Sequence, residues 1–170
     1  MSNNSVLQAI RERRSVRHFT GEMISDELIR EVLEAGRWAP SGLNNQPWRF
    51  VIIKDPAVQD QLANCTKYSS IINNAPVSLC VFLDSNRIYN RDKDLQGVGA
   101  CIQNMLLAAH ALGLGAVWLG EILNQKEKVR EILELSEHLE LMAVICMGYP
   151  DKNIGNGNRL NLEKLIIKQI

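Results

Sequence analysis

The stretch "RERRSVRHF", Arg11 to Phe19, is the part of this sequence around which the rest can be organised. It follows a short segment with apolar residues at helical spacing and sets four arginines around one serine: Arg11, Arg13, Arg14, Arg17 and Ser15. An arginine matches two phosphate oxygens at once, and a hydroxyl with free backbone N–H groups can complete such a cradle. A solvated basic helix end, favoured by the helix dipole, is the alternative interpretation.

Composition narrows the choice between these two interpretations. The chain has 170 residues, is 46% hydrophobic and carries no net charge. This length predicts one domain over residues 1–170. A nucleic-acid-binding protein usually has a broad basic excess, so we expect a small anionic ligand and no nucleic-acid partner. The polar start "MSNNS" and the lack of a long apolar run predict a soluble, cytoplasmic protein with no membrane partner.

Helices and buried strands alternate along the chain, which predicts a layered α/β or α+β domain. Ser5 and Ser25 are the expected N-caps of the first two helices, and Leu95–Leu112 is expected to be the longest, central helix. Two shorter helices are expected over about residues 57–66 and 125–135. The predicted strands are "RFVIIKD", Val77–Leu83, "AVWLG" and "LELMAVICMGYP". The apolar tail Leu160–Ile170 is expected to dock on another surface.

Several familiar signals of function are absent from the sequence. Gly97-Val98-Gly99 and Gly113-Leu114-Gly115 both lack the third glycine of a dinucleotide fingerprint. No Walker lysine follows a suitable loop, and the sequence contains no G-x-S-x-G motif. The three histidines lack the spacing of metal ligands, so no metal site is expected. The four cysteines form no C-x-x-C pair and are expected to be reduced and buried.

Four segments, taken together and in order, resemble the nitroreductase family of flavin mononucleotide (FMN) oxidoreductases. They are "RRSVRHF", "APSGLNNQPWRFVIIKD", "LLAAHALGLGAVWLGEI" and "MGYP". The resemblance implies an α+β fold, with a central, mainly antiparallel sheet flanked by helices, in an intertwined homodimer. It also implies an enzyme that takes hydride from NADH or NADPH and reduces nitroaromatics, quinones or related small acceptors by a ping-pong mechanism.

The resemblance also assigns roles to particular residues. The N-terminal flavin motif corresponds to Arg13, Arg14, Ser15 and Arg17. Arg13 and Ser15 would hold the phosphate together with Arg159, while Arg17 would lie near the pyrimidine edge of the flavin. The loop that the family supplies from the partner subunit corresponds to Pro40, Ser41, Gly42 and Asn44. Backbone N–H groups facing the flavin's N5 and O4 would come from Leu119, Gly120 and Glu121. No side chain is assigned as the catalytic acid, since flavin N5 would carry the chemistry.

Three departures and two alternatives complete the prediction. The tail has Gly157 and Asn158 beside Arg159, where relatives often have a second basic residue or a proline, so the phosphate site has one charge fewer. The chain is short for the family, and "YSSII", Tyr68–Ile72, stands where many relatives have polar residues beside the flavin, so the preferred acceptor is left open. A flavin-binding protein that stores flavin or senses redox state without turnover is one alternative. A basic module that binds nucleic acid through "RERRSVR" is the other, which the zero net charge disfavours.

Overall fold

A single four-stranded sheet organises the molecule. The computed structural model describes residues 4–151, 155 and 157–170. The strands are β1 (Trp48–Ile53), β2 (Val77–Asp84), β3 (Gly115–Leu119) and β4 (Leu139–Gly148). They lie in the order β1-β2-β4-β3, and every neighbouring pair is antiparallel. The predicted α+β fold with a central antiparallel sheet is therefore confirmed.

The described residues form six helices, of which five flank this sheet and the first packs on the fifth. They are α1 (Ser5–Glu12), α2 (Asp26–Arg37), α3 (Pro56–Ala63), α4 (Ser69–Asn73), α5 (Arg91–Ala111) and α6 (Lys126–Ile132). Short 3₁₀ turns cover Gly42–Asn44, Ser85–Arg87, Glu121–Gln125 and Leu162–Lys164. Within the described ranges, no helix is both long and apolar enough to cross a membrane.

The sheet is buried on both faces, which explains why its central strands read as continuous apolar runs. Helices α2 and α5 cover one face, where Ile29, Val32 and Met105 pack against alternate residues of β2 and β4. Helices α3, α4 and α6 cover the other face, where Leu62 and Ile72 lie. Every residue of β2 is buried. A strand covered on both sides cannot alternate between apolar and polar residues.

Helix boundaries differ from the predicted ones where polar caps, rather than apolar spacing, set them. The N-cap of α1 is Asn4, whose side chain accepts from two backbone N–H groups, and Ser5 is already helical. The predicted cap at Ser25 is confirmed. Helix α5 begins at Arg91, a full turn before Leu95, because Asn90 caps it and two aspartates occupy its first turn. The segment Ser69–Asn73, which had only a weak pattern, forms α4.

The arginine-rich segment runs along the open edge of β3 and the end of β4. The Val16 N–H donates to the Ala116 carbonyl at 3.0 Å, and Phe19 forms an isolated bridge with Pro150. Gly115 permits this approach, since a Cβ there would lie 2.7 Å from the Cβ of Val16. The segment is therefore held against the sheet by the buried Val16 and Phe19, while Ser15, Arg17 and His18 are exposed.

The predicted apolar tail is exposed in the single chain. Leu160, Leu162 and Leu165 are each more than half exposed, and Ile167 and Ile170 are fully exposed. The four cysteines, in contrast, are free and buried as predicted: Cys65, Cys80, Cys101 and Cys146. Burial raises the pKa of Cys101 to about 12, so this thiol stays protonated at neutral pH.

Candidate functional site

Arg13 and Arg14 lie half-buried at the edge of the sheet. The Arg14 Nη1 donates to the carbonyls of Arg11 and Arg13, at 2.5 and 2.9 Å, so this side chain folds back over its own segment. Burial, then the charges of Arg159 and Arg14, lowers the pKa of Arg13. Because two of these causes are positive charges, Arg13 lies in a field that disfavours its own cation.

The C-terminal segment brings the third arginine to this place. A Cβ at Gly157 would lie 2.6 Å from the Arg14 Nε, so the tail backbone passes directly over that guanidinium. Arg159 follows two residues later, and its Nη1 donates to the Asn158 carbonyl at 2.7 Å. The structure thus brings together Arg13, Arg14 and Arg159, which are far apart in the sequence. We call these three residues the arginine cluster.

Nothing in the described part of the chain neutralises the arginine cluster. None of its members forms an ion pair with a described carboxylate. The Nε atoms of Arg13 and Arg14 are buried without a hydrogen-bond partner. Buried polar atoms normally have partners, and buried cations normally have counter-ions. The residues present therefore fit a phosphate group, such as that of FMN.

A cavity of about 410 Å³ lies beside the same segment. It is lined by Arg17, Tyr68, Ile71 and residues 117–121, which include the predicted Leu119, Gly120 and Glu121. Arg17 is exposed here, and its Nη1 donates to the Ser15 carbonyl at 3.5 Å. The structure therefore places Arg17 and the end of β3 in the lining of one cavity, and their contact with a flavin stays a prediction.

Glu121 connects two walls of this cavity through its side chain. Its carboxylate accepts from the Thr66 hydroxyl at 2.6 Å and from the Lys67 N–H at 3.2 Å. The hydrogen bond from Thr66 is the largest cause that lowers the pKa of Glu121. The end of β3 is thereby tied to the turn that carries Tyr68. Thr66 was missed by sequence reasoning, because nothing local relates it to a residue 55 positions away.

The loop Pro40–Asn44 lies apart from the cavity that Arg17 lines. Pro40, Ser41 and Gly42 line a separate cavity of about 260 Å³ with residues of α5, among them Lys93 and Gly97. The structure does not bring them into the cavity of Arg17 within one chain. Leu43 and Asn44 are exposed at the tip of the loop. The predicted role of this loop in the site of a partner subunit stays a prediction.

Comparison with known proteins gives the family. The model of the nitroreductase family matches residues 10–67 and 56–149. The chain belongs to the nitroreductase family. Among curated nitroreductase relatives, the oxygen-insensitive NADPH nitroreductase of Salmonella typhimurium is 30% identical, over 90% of this chain and 69% of its own length. A Methanothermobacter thermautotrophicus protein, provisionally named NADH dehydrogenase/NAD(P)H nitroreductase, is 33% identical, over 96% of this chain and 90% of its own length.

Solved structures of nitroreductases agree with this assignment. A Desulfovibrio desulfuricans protein, provisionally named nitroreductase and crystallised in complex with FMN, has a TM-score of 0.95 and 51% identity, and the alignment covers 99% of both chains. The NADPH:FMN oxidoreductase of Vibrio harveyi, complexed with NAD+, has a TM-score of 0.91 and 27% identity, over 98% of this chain and 78% of its own. The predicted family, fold and oxidoreductase class are confirmed.

Proposed function

We propose that this chain is an FMN-dependent oxidoreductase that takes hydride from NADH or NADPH and reduces small acceptors such as nitroaromatics and quinones. The observation that carries the proposal is the arginine cluster, three neighbouring cations without an ion pair to a described carboxylate. Its first two members belong to the segment whose Arg17 lines the open cavity. The predicted cofactor and enzyme class agree with the relatives, one of which was crystallised with FMN while others are named as NAD(P)H-dependent reductases.

The residues of the chain divide into two groups. Arg13, Ser15 and Arg159, with Arg14 beside them, would bind the phosphate, since charge-assisted bonds to arginine suit its oxygens. Arg17 and the backbone of Leu119–Glu121 line the cavity and would contact the flavin ring. When bound, FMN supplies a two-electron carrier whose N5 accepts the hydride and returns it to the acceptor. Arg17 would stabilise the negative charge of the reduced form.

The cavity also supports flat, aromatic acceptors. Tyr68 and Trp118 both line it, and their side chains are 43% and 42% exposed. Exposed aromatic rings favour stacked or edge-to-face contact with other rings. The cavity is open to solvent, so water can supply the proton that an acceptor needs after hydride transfer. A ping-pong order follows if reductant and acceptor use this one cavity in turn.

Two apolar surfaces support a homodimer in which each site is completed by the other chain. One is the tail Leu160–Ile170, exposed in the single chain. The other is an apolar groove of about 350 Å³ between α1, α2 and α5, lined by residues such as Val6 and Leu107. Pairing of two chains would bury both surfaces and could bring the loop Pro40–Asn44 to the partner's cavity. A single domain over residues 1–170 and a cytoplasmic location stay predictions.

Titration of the flavin-free protein with FMN and with riboflavin tests the phosphate assignment. Each charge-assisted contact should contribute roughly 1.5–3 kcal/mol, so FMN should bind at least tenfold more tightly than riboflavin. The Arg13→Ala variant should reduce this preference. Equal affinities of the wild-type protein for FMN and riboflavin would contradict the assignment.

Anaerobic mixing with NADPH or NADH then tests turnover. A reductase should lose its flavin absorbance within seconds and regain it when a quinone is added. A protein that only stores flavin would keep its absorbance under excess reductant, which is the outcome that the alternative predicts. Retention on DNA that falls steeply with salt would instead revive the nucleic-acid alternative.

A further inference from the structure

The loop that carries Pro40–Asn44 has an unfavourable backbone. Leu43, Asn44 and Gln46 have positive φ angles of 52°, 56° and 47°. Outside glycine, the described residues have only one further positive φ angle, at Glu134. This left-handed region is unfavourable for residues other than glycine, and asparagine tolerates it better than leucine or glutamine. A loop of this kind keeps one conformation only if neighbouring groups hold it.

The buried carboxylate of Asp94, in the first turn of α5, provides that hold. Asp94 is 1% exposed. Its Oδ1 accepts from the Asn45 Nδ2 at 2.6 Å, and its Oδ2 accepts from the backbone N–H groups of Tyr89 and Asn90 at 3.0 and 3.1 Å. The Asn45 Nδ2 donates also to the Arg87 carbonyl, at 2.8 Å. One carboxylate thus joins the loop, the segment before α5 and α5 itself.

Tyr89 holds the other side of the loop. A Cβ at Gly42 would lie 2.2 Å from both the Cε1 and the Oη of Tyr89, so the loop backbone rests directly on this ring. The backbone N–H of Tyr89 is one of the groups bound by Asp94. The same carboxylate therefore fixes a side chain of the loop and the ring against which its backbone packs.

We propose that Asp94 is a positioning residue for the flavin site, acting through Asn45 and Tyr89 to keep Pro40–Asn44 in the conformation that meets the cofactor. This inference rests on the proposed function, in which that loop contacts FMN. Asp94 itself is buried, so it would act through the loop and not by contact with the cofactor. Its role is to hold the loop in the binding conformation before the cofactor arrives. The free energy of FMN binding is then not reduced by the cost of ordering the loop.

The Asn45→Ala variant separates this role from ordinary helix stability. It removes the side-chain link to the loop and leaves the hydrogen bonds from Tyr89 and Asn90 to Asp94 in place. Asn90→Ala is the matched control. It removes the N-cap hydrogen bond that the Lys93 N–H donates to the Asn90 Oδ1, at 3.1 Å, at the start of the same helix. The side-chain link between Asn45 and Asp94 stays in place. Both variants should lower the melting temperature, and only the first should affect the loop.

Hydrogen exchange of the full-length protein reads the loop directly. The amides of Asn44 and Asn45 bond to the carbonyls of Ser41 and Gly42, and the Gln46 amide bonds to the Ser41 hydroxyl. Asn45→Ala should speed exchange at these three amides about tenfold, while Asn90→Ala should leave them near the wild-type rate. Wild-type exchange in Asn45→Ala would overturn the inference whether or not the protein binds flavin.

FMN titration completes the test. Asn45→Ala should weaken FMN binding about tenfold, equivalent to roughly 1.4 kcal/mol. Asp94→Asn should weaken it at least as much, and the double variant should be no worse than Asp94→Asn, since both act on one link. Additive losses, or an equal loss in Asn90→Ala, would overturn the inference. If Asn44→Ala binds FMN like the wild type, the loop does not contact the flavin. That result would contradict both this inference and the proposed role of the loop in FMN binding.

Discussion

Arg13 and Arg17 are separated by only three residues, yet they lie in different surroundings. Arg13 is half-buried in the arginine cluster, where burial and two neighbouring cations lower its pKa. Arg17 is exposed at the cavity beside the end of β3. Under the proposed function, the first stabilises the phosphate and the second the charge on the reduced ring, so the two should affect different observables.

Arg17→Ala should lower the flavin midpoint potential and slow reduction by NAD(P)H, while weakening FMN binding only modestly. A charge-assisted interaction of roughly 1.5–3 kcal/mol corresponds to about 30–60 mV for a two-electron couple. Arg13→Ala is the matched comparison and should weaken FMN binding with little change in potential. Spectroelectrochemical titration at saturating FMN measures both variants. An unchanged potential in Arg17→Ala would remove this arginine from the flavin ring.

For individual residues, the sequence predicts a site where the residues that form it stand close together along the chain. Arg13, Arg14, Ser15 and Arg17 stand in one short stretch, so their proximity could be foreseen, and the resemblance to a flavin motif pointed to Arg159. That Arg13 and Arg17 lie in different surroundings could not be read from the stretch itself. Asn45, Asp94 and Thr66 could not be foreseen. Asn45 and Asp94 are 49 positions apart, and their contact exists only once α5 has packed beside the loop.

The contact between β3 and the arginine-rich segment gives a prediction at the scale of the element. A Cβ at Gly115 would lie 2.7 Å from both the Cβ and the Cγ1 of Val16, and a β-branched side chain cannot rotate away cheaply. Gly115→Ala should push this segment off the sheet edge and destabilise the protein by about 1–3 kcal/mol. FMN binding should weaken as well, because Ser15 and Arg17 move with Val16. Calorimetry and FMN titration measure the two effects, and a folded variant with wild-type affinity would contradict the prediction.

The ion pairs of Glu140 join the start of β4 to α5 and α6. Its carboxylate accepts from Arg91 at 2.7 and 3.0 Å and from Lys126 at 2.8 Å. The Arg91 bond, followed by that from Lys126, lowers the pKa of Glu140 from 4.5 to about 2. Because the folded-state pKa is the lower one, the stabilisation is complete above about pH 4.5 and is lost as pH falls toward 2.

Glu140→Gln should therefore lower the free energy of unfolding at pH 7 by about 1 kcal/mol. The effect is this small because both cations are partly exposed and solvent screens their charges. The difference from the wild type should shrink by pH 3. Glu127→Gln is the control, since its carboxylate is exposed and lies 4.0 Å from Lys126. Urea unfolding at fixed protein concentration measures all three proteins, and a pH-independent loss in Glu140→Gln would exclude the ionic origin.

Elements followed from the sequence wherever apolar spacing alone set them. The strands Val77–Leu83 and "LELMAVICMGYP" were predicted because a strand covered on both faces is apolar throughout. The strand of "RFVIIKD" was predicted as well, although β1 is an edge strand in which Ile52 is exposed. The start of α5 was placed a turn late and the cap of α1 one residue late, because hydrogen bonds of polar side chains set both ends. The five-residue α4 is too short to show helical spacing in the sequence.

At the scale of the whole molecule, the tail gives the sharpest prediction. Deleting Leu160–Ile170 should yield a monomer or an aggregate without flavin, because this exposed apolar tail is one of the two surfaces through which the chains are proposed to pair. The stability of the full-length protein should rise with its concentration, as for an obligatory dimer. Analytical ultracentrifugation and the visible spectrum measure both forms, with Lys168→Ala as a control inside the tail. A truncated protein that stays a yellow dimer would contradict the docking of this tail.

The order of the strands also has a consequence for the time at which the chain can fold. The central pair joins β2, Val77–Asp84, to β4, Leu139–Gly148, and all of α5, β3 and α6 lie between them. Contacts so distant in sequence slow folding, because the intervening chain must be ordered before the pair is formed. During synthesis, more than fifty residues must be added after the apolar β2 before β4, its main partner, is available for pairing. We expect the nascent chain to need protection from aggregation over that interval.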